Sequence, residues 1–158
     1  MNAAIQALRD DVADDAGALL RRLDQSVEFD AATATPTELS HTALAIHHSY
    51  CALESLIERC LRHFDGGLPT GHDSHSELLR RASRPIPNVR PQLISVESAT
   101  AARELLKFRH FLRHVYGAEL DPARLAAVQG SIRSVRPLLA RDLTALDAWL
   151  DSVASPQA

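Results

Sequence analysis

Residues 95–117 read SVESATAARELLKFRHFLRHVYG, and the periodicity of this stretch decides the fold. At about 100° per residue, Leu105, Phe108, Phe111, Leu112 and Val115 fall within one sector of roughly 120°. Tyr116, Arg109, Arg113, His110 and His114 follow in that angular order around the polar side. A helix from Ser95 to a C-capping Gly117 accounts for both sets. Arg109 and Arg113 stand four residues apart, as do His110 and His114, so each pair stacks along one ridge. Arg109 and His114 lie about 140° apart around the axis. Joint action on one substrate then requires a bent helix, a further element closing over them, or a second copy of the chain.

The rest of the chain supplies partners of the same kind. Ile5, Leu8, Val12, Leu19, Leu23 and Val27 give an apolar stripe that predicts a first helix over about residues 3–29, with Gly17 its weak point. A linker, AATATPTE, passes through Pro36. Thr37 to Ser40 offer caps for a second helix over about 39–64, where Leu39, Ala43, Ile46, Tyr50, Leu53, Ile57, Leu61 and Phe64 recur at helical spacing. Asp65, Gly66, Gly67 and Pro69 stop it. Residues 65–92 hold a short helix around Ser74–Ala82, then RPIPNVRP, whose prolines forbid a continuous helix. This connection either caps one end of a bundle or shapes a cleft. Asp121 and Pro122 form a cap and first helical position, and the helix they start should reach about Ser134. Pro137 is expected to break or kink it before a final segment ending near Trp149 and Leu150.

Composition agrees with this layout. At 158 residues the chain suits one domain, expected over 1–150, with 151–158 as a flexible tail. Alanine and leucine dominate and aromatic residues make up only 4%, a mixture that favours helices. The expected fold is all-α, an up-and-down bundle of four to five helices. Arg, Glu or His interrupts every apolar stretch within a few residues, so no membrane span is expected. The N-terminal MNAAIQALRDD has no basic region leading into an apolar core, which argues against a secretory signal. Cys51 and Cys60, nine apart in one helix, face opposite ways and read as reduced thiols of a cytoplasmic protein.

The net charge of −3 excludes a surface that coats nucleic acid all round, yet a local site can still bind phosphate. Arg103, Lys107, Arg109 and Arg113 face Glu104 alone within residues 103–114, and Lys107 is the only lysine of the chain. A phosphodiester site working without metal needs positive charge at the phosphate and a group that moves protons near neutral pH. Arginine meets the first need with a rigid donor fork, and histidine the second with a pKa near about 6.5. With RNA, the 2′-hydroxyl supplies an internal nucleophile, leaving a cyclic phosphate and a 5′-hydroxyl.

Alternatives stay open on the residues alone. Two arginines and two histidines on one face also serve as solubilising groups. His110 and His114 have the spacing of metal ligands, but no HExxH or cysteine cluster accompanies them, and no metal or other cofactor is expected. His72 and His75 could add ligands, bind substrate or lie on the surface. His41, His47, His48 and His63 belong to no compelling motif. Tyr50 with Glu54 reads as a core-edge pair or as support for the helix of Arg109. Tyr116 can orient Arg109, touch substrate or accept a modifying group, and a nucleotide attached there would set bulk and negative charge beside the cationic face.

On Arg109, His114 and Tyr116 the chain resembles a HepT-like member of the HEPN superfamily, whose hallmark is Arg, four to six residues, His, and Tyr two places later. The resemblance extends to the helix ending FDGGLPTG, the ELLRR segment, the RP-containing connector and the helix starting near Ser95. It implies a HEPN-like bundle and a metal-independent RNA endonuclease, the toxin of a toxin–antitoxin pair, usually a homodimer whose paired motifs converge on one cleft. Arg109 and His114 would be catalytic there, with His110, Arg113, Tyr116 and Lys107 supporting or binding substrate. It also implies a cognate minimal nucleotidyltransferase antitoxin that transfers AMP to Tyr116. Some HEPN proteins are noncatalytic binding partners, which is the alternative function. One departure is His110, where the family often has Asn or another small polar residue.

Overall fold

The computed structural model describes residues 2–113, the helical backbone at 114, and residues 119–155. Among these residues five helices form an all-α bundle: α1 (Ala3–Gln25), α2 (Pro36–Phe64), α3 (Ser74–Ala82), α4 (Val96–His114) and α5 (Pro122–Ala154). Among the described residues the one extended pairing is an isolated antiparallel bridge between Ile86 and Arg90.

Cross-chain ion pairs and contacts set the helix directions. Arg9 reaches Asp147 and Arg136 reaches Asp24, so α1 and α5 run antiparallel. Arg59 bonds Asp15 while Ser26 meets Ser49, which orients α2 against α1. Ser98 meets Asp142 near the start of α4, and Phe111 lies under Arg124 near its end, so α4 and α5 are antiparallel too. The four long helices thus alternate in direction, and short α3 bridges α2 and α4. Their apolar stripes close on one core that includes Leu19, Leu23, Ile46, Leu53, Ile57, Phe108, Leu139 and Leu150. No helix among the described residues is long and apolar enough to cross a membrane. Cys51 is half-buried and Cys60 buried, both as free thiols.

Several helix limits differ from those expected. α1 ends at Gln25 instead of about 29 because buried Gln129 of α5 holds the chain that follows. Its Nε2 donates to the carbonyls of Ser26 (3.0 Å) and Phe29 (2.7 Å), and its Oε1 accepts from the Ala31 amide (3.2 Å). α2 starts at Pro36, three residues early. Thr35 and Glu38 complete a reciprocal capping box there, and Pro36 takes a first-turn position whose N–H has no intrahelical partner anyway.

The predicted break at Pro137 does not occur, since α5 runs unbroken through it. Pro137 and Arg133 are both exposed, so the Arg133 carbonyl that the proline leaves unpaired faces solvent, while Val135 and Leu139 stay anchored in the core. The boundary expected at 150 falls inside the same helix. Ala154 is buried, and its carbonyl accepts from the Asn2 amide at 2.8 Å, which closes the two ends of the domain on each other.

Two polar devices fix the elements that carry the site. Asp142 projects from α5 to the start of α4, accepting from the Ser95 amide (2.7 Å) and the Ser98 hydroxyl (2.6 Å). Burial by itself would raise the Asp142 carboxyl, but the Ser95 and Ser98 donors together with Arg141 hold it below the usual range. In the α3–α4 connection, buried Arg90 grips buried Asp65 through two bonds (2.6 and 2.8 Å) and donates to the carbonyls of Arg81, Arg84 and Pro91. Asn88, with φ of 61°, makes the tight turn that brings Arg90 back to Ile86.

Candidate functional site

The site grows from the α2 stripe of His47, Tyr50 and Glu54. These residues lie three and four apart, hence on one face, and the latter half of α4 packs across them. Tyr50 is fully buried. Burial, then the Glu54 carboxylate beside it, pushes its phenol above the ordinary range, so it stays protonated and neutral.

Arg109 lands on this face. The sequence puts it on the polar side of its helix, and the residue is nevertheless only 9% exposed. The polar arc of α4 is wide, and the edge bearing Arg109 turns toward α2 and α3 instead of solvent. Its guanidinium lies 5.8 Å from the centre of the Tyr50 ring, within cation–π range. Arg109 Nη1 donates to His75 Nε2 at 3.3 Å. A guanidinium can only donate, so His75 Nε2 accepts and its proton sits on Nδ1. That Nδ1 lies 2.8 Å from Glu54 Oε2, to which it donates. Glu54, His75 and Arg109 therefore form one chain of hydrogen bonds linking α2, α3 and α4.

Around this chain lie further basic and imidazole groups. The His110 ring meets the His75 ring edge to face at 5.8 Å. Arg113, one turn beyond Arg109, is exposed and lines an open groove of about 380 Å³ with His47, Leu44, Leu112 and Leu120. Burial, followed by the charges of His48, Arg109 and Arg113, holds the His47 imidazole below its ordinary range and so neutral near pH 7.

The structure brings together Arg109, His110 and Arg113 of the residues singled out in the sequence, and it places Lys107 elsewhere. Lys107 pairs with exposed Glu104 at 2.7 Å and borders a groove against α5. Two residues from Arg109 is about 200° around the helix, so Lys107 cannot share its face. The His114 side chain and all of Tyr116 lie outside the described residues. His72 is fully exposed beside Asp73, away from the cluster. Among the described residues no group of three or more His, Cys, Asp or Glu side chains is arranged to hold a metal ion.

His75 is the member the sequence did not place beside Arg109, whereas Tyr50 with Glu54 was read as a core-edge pair or as support for the Arg109 helix. The α2 spacing of His47, Tyr50 and Glu54 was the available signal. The position of His75 was not legible, because it depends on how the connection docks α3.

The family model described as HepT-like protein matches residues 41–150, which run from the first turns of α2 to near the end of α5 and contain the whole cluster. No curated protein and no solved structure matches the chain.

Proposed function

Because this chain belongs to the HepT-like family, we propose that it is an RNA endonuclease acting as the toxin of a toxin–antitoxin pair. The observation that carries the reading is the Arg109 guanidinium, buried yet held by neutral groups, the His75 imidazole nitrogen and the Tyr50 ring. Among the described residues no carboxylate touches this cation directly, which leaves its charge to an incoming anion, and a phosphodiester is the anion that suits a guanidinium fork.

In this mechanism Arg109 binds the scissile phosphate and stabilises the charge that builds on it. His114 takes the proton of the attacking 2′-hydroxyl or returns one to the departing 5′-oxygen. The new P–O2′ bond forms as the P–O5′ bond breaks, giving a 2′,3′-cyclic phosphate and a 5′-hydroxyl without a metal. His110 and Arg113 contact flanking substrate. The separation of about 140° between Arg109 and His114 is met by a homodimer in which the motif of each copy completes one cleft. A minimal nucleotidyltransferase is the cognate antitoxin, and Tyr116 is its AMP acceptor.

RNA incubated with purified protein in chelator tests this directly. Cleavage with cyclic-phosphate ends, lost in both Arg109→Ala and His114→Ala and absent on DNA of the same sequence, is the expected result. Undiminished cleavage in both variants would remove the assignment. Stable binding without turnover in the wild type would favour a noncatalytic partner of a nucleotidyltransferase.

A further inference from the structure

We propose that His75, oriented by Glu54, is a positioning residue that sets the direction of the Arg109 guanidinium. This rests on Arg109 being the phosphate-binding group, and it adds two residues from other helices to the working site.

The geometry limits what His75 can be doing. Its imidazole is 28% exposed and Glu54 14% exposed, so both lie partly out of water, where a fixed hydrogen bond holds its partner more firmly than at the surface. Free imidazole in water favours the proton on Nε2. Here the Glu54 carboxylate captures the Nδ1 proton and leaves the Nε2 lone pair facing Arg109. The arrangement has the logic of a carboxylate orienting a metal-bound histidine, with a guanidinium where the metal would be. One terminal nitrogen of Arg109 is thereby committed, and its guanidinium carbon lies 5.8 Å from the centre of the Tyr50 ring of α2. The groups facing His75 are Glu54 from α2 and Arg109 with His110 from α4.

His75 is also placed with little freedom. It lies in the first turn of α3, and Leu78, Leu79 and Ala82 of that helix are buried. The α3 C-terminus is pinned by the Leu93 amide on the Ala82 carbonyl (2.8 Å) and by Arg90 on the Arg81 carbonyl. A guanidinium on a flexible side chain thus acquires the rigidity of three packed helices, which is what a preorganised phosphate anchor needs.

Two isosteres separate positioning from mere cohesion. Gln at 75 places an acceptor where Nε2 is, toward Arg109, whereas Asn places its amide where Nδ1 is, toward Glu54. With RNA in chelator, His75→Ala should lower kcat by about 100-fold with a much smaller change in KM, and His75→Gln should restore most of the loss. His75→Asn should not.

The ¹⁵N shifts of the His75 ring provide a readout independent of cleavage. The proton is expected on Nδ1 in the wild type, and Glu54→Leu, which removes the acceptor, should shift population toward Nε2. A wild type that cuts no RNA yet shows the Nδ1 proton would refute the nuclease function while leaving the positioning contact intact. Cleavage unchanged in His75→Ala, rescue by Asn in preference to Gln, or an Nε2 proton in the wild type would each overturn the positioning role.

Discussion

Replacing Asp65 by Asn should loosen the connection that docks α3, at a cost of about 3 kcal/mol in unfolding free energy. The Arg90 and Asp65 side chains are only 1% and 7% exposed. Asn keeps one acceptor for Arg90 but removes the charge that neutralises it, so a guanidinium is left uncompensated in the interior. Arg90→Met does the reverse. It strands the Asp65 carboxylate and removes the donors to the carbonyls of Arg81, Arg84 and Pro91, for an expected cost of about 4 kcal/mol. In the double variant no buried charge remains, so its cost should fall about 2 kcal/mol below the sum of the single costs. Against a total stability of about 5 to 15 kcal/mol these are large fractions. Urea unfolding followed by circular dichroism at 222 nm gives each value, and amide hydrogen exchange locates the loss, expected first in α3 and in residues 83–94. Single costs below about 1 kcal/mol, or a double variant additive within about 0.5 kcal/mol, would show that the pair is not the staple described.

Two further outcomes follow from other parts of the molecule. Asp142→Asn should lower stability by about 1 to 2 kcal/mol near neutral pH by weakening the cap on α4. Because the folded-state carboxyl is depressed, the wild-type advantage is full above the ordinary aspartate pKa and fades as pH falls through the folded value. Urea midpoints of the two proteins should therefore converge in acid, and a constant gap would refute the linkage. Coexpression with the nucleotidyltransferase of the same pair should add one AMP to Tyr116, read by intact mass and peptide mapping. An adduct surviving in Tyr116→Phe would place the modification elsewhere.

The helices were legible because their signals are local. Apolar spacing marks α2 and α4, and Asp121 with Pro122 marks the start of α5 within a residue. The early start of α2 was written locally, in Thr35, Pro36 and Glu38, but other misjudged limits depend on tertiary surroundings. The end of α1 is decided by Gln129, and Pro137 is tolerated because the rest of its helix is anchored on the opposite side. Likewise, Arg109 was singled out within its run by residue type and spacing, while its burial was not legible. A helical wheel gives angles around one axis but not which neighbours press on its polar edge.

Arg90 and Arg109 show why burial alone does not classify an arginine. Both are buried, at 4% and 9% exposure. Arg90 is neutralised in place by a bidentate carboxylate and spends its remaining donors on backbone carbonyls, which leaves it nothing to offer a ligand. For Arg109 the acid is one imidazole removed, with Glu54 on the far nitrogen of His75. Inserting a neutral ring between the two charges preserves orientation while weakening neutralisation, since Coulomb attraction falls with distance. A bundle in need of cohesion alone would gain more from direct contact between Glu54 and Arg109. The spacer suits a guanidinium that must stay aimed while its charge is left to an anion, which is what the proposed phosphate anchor requires.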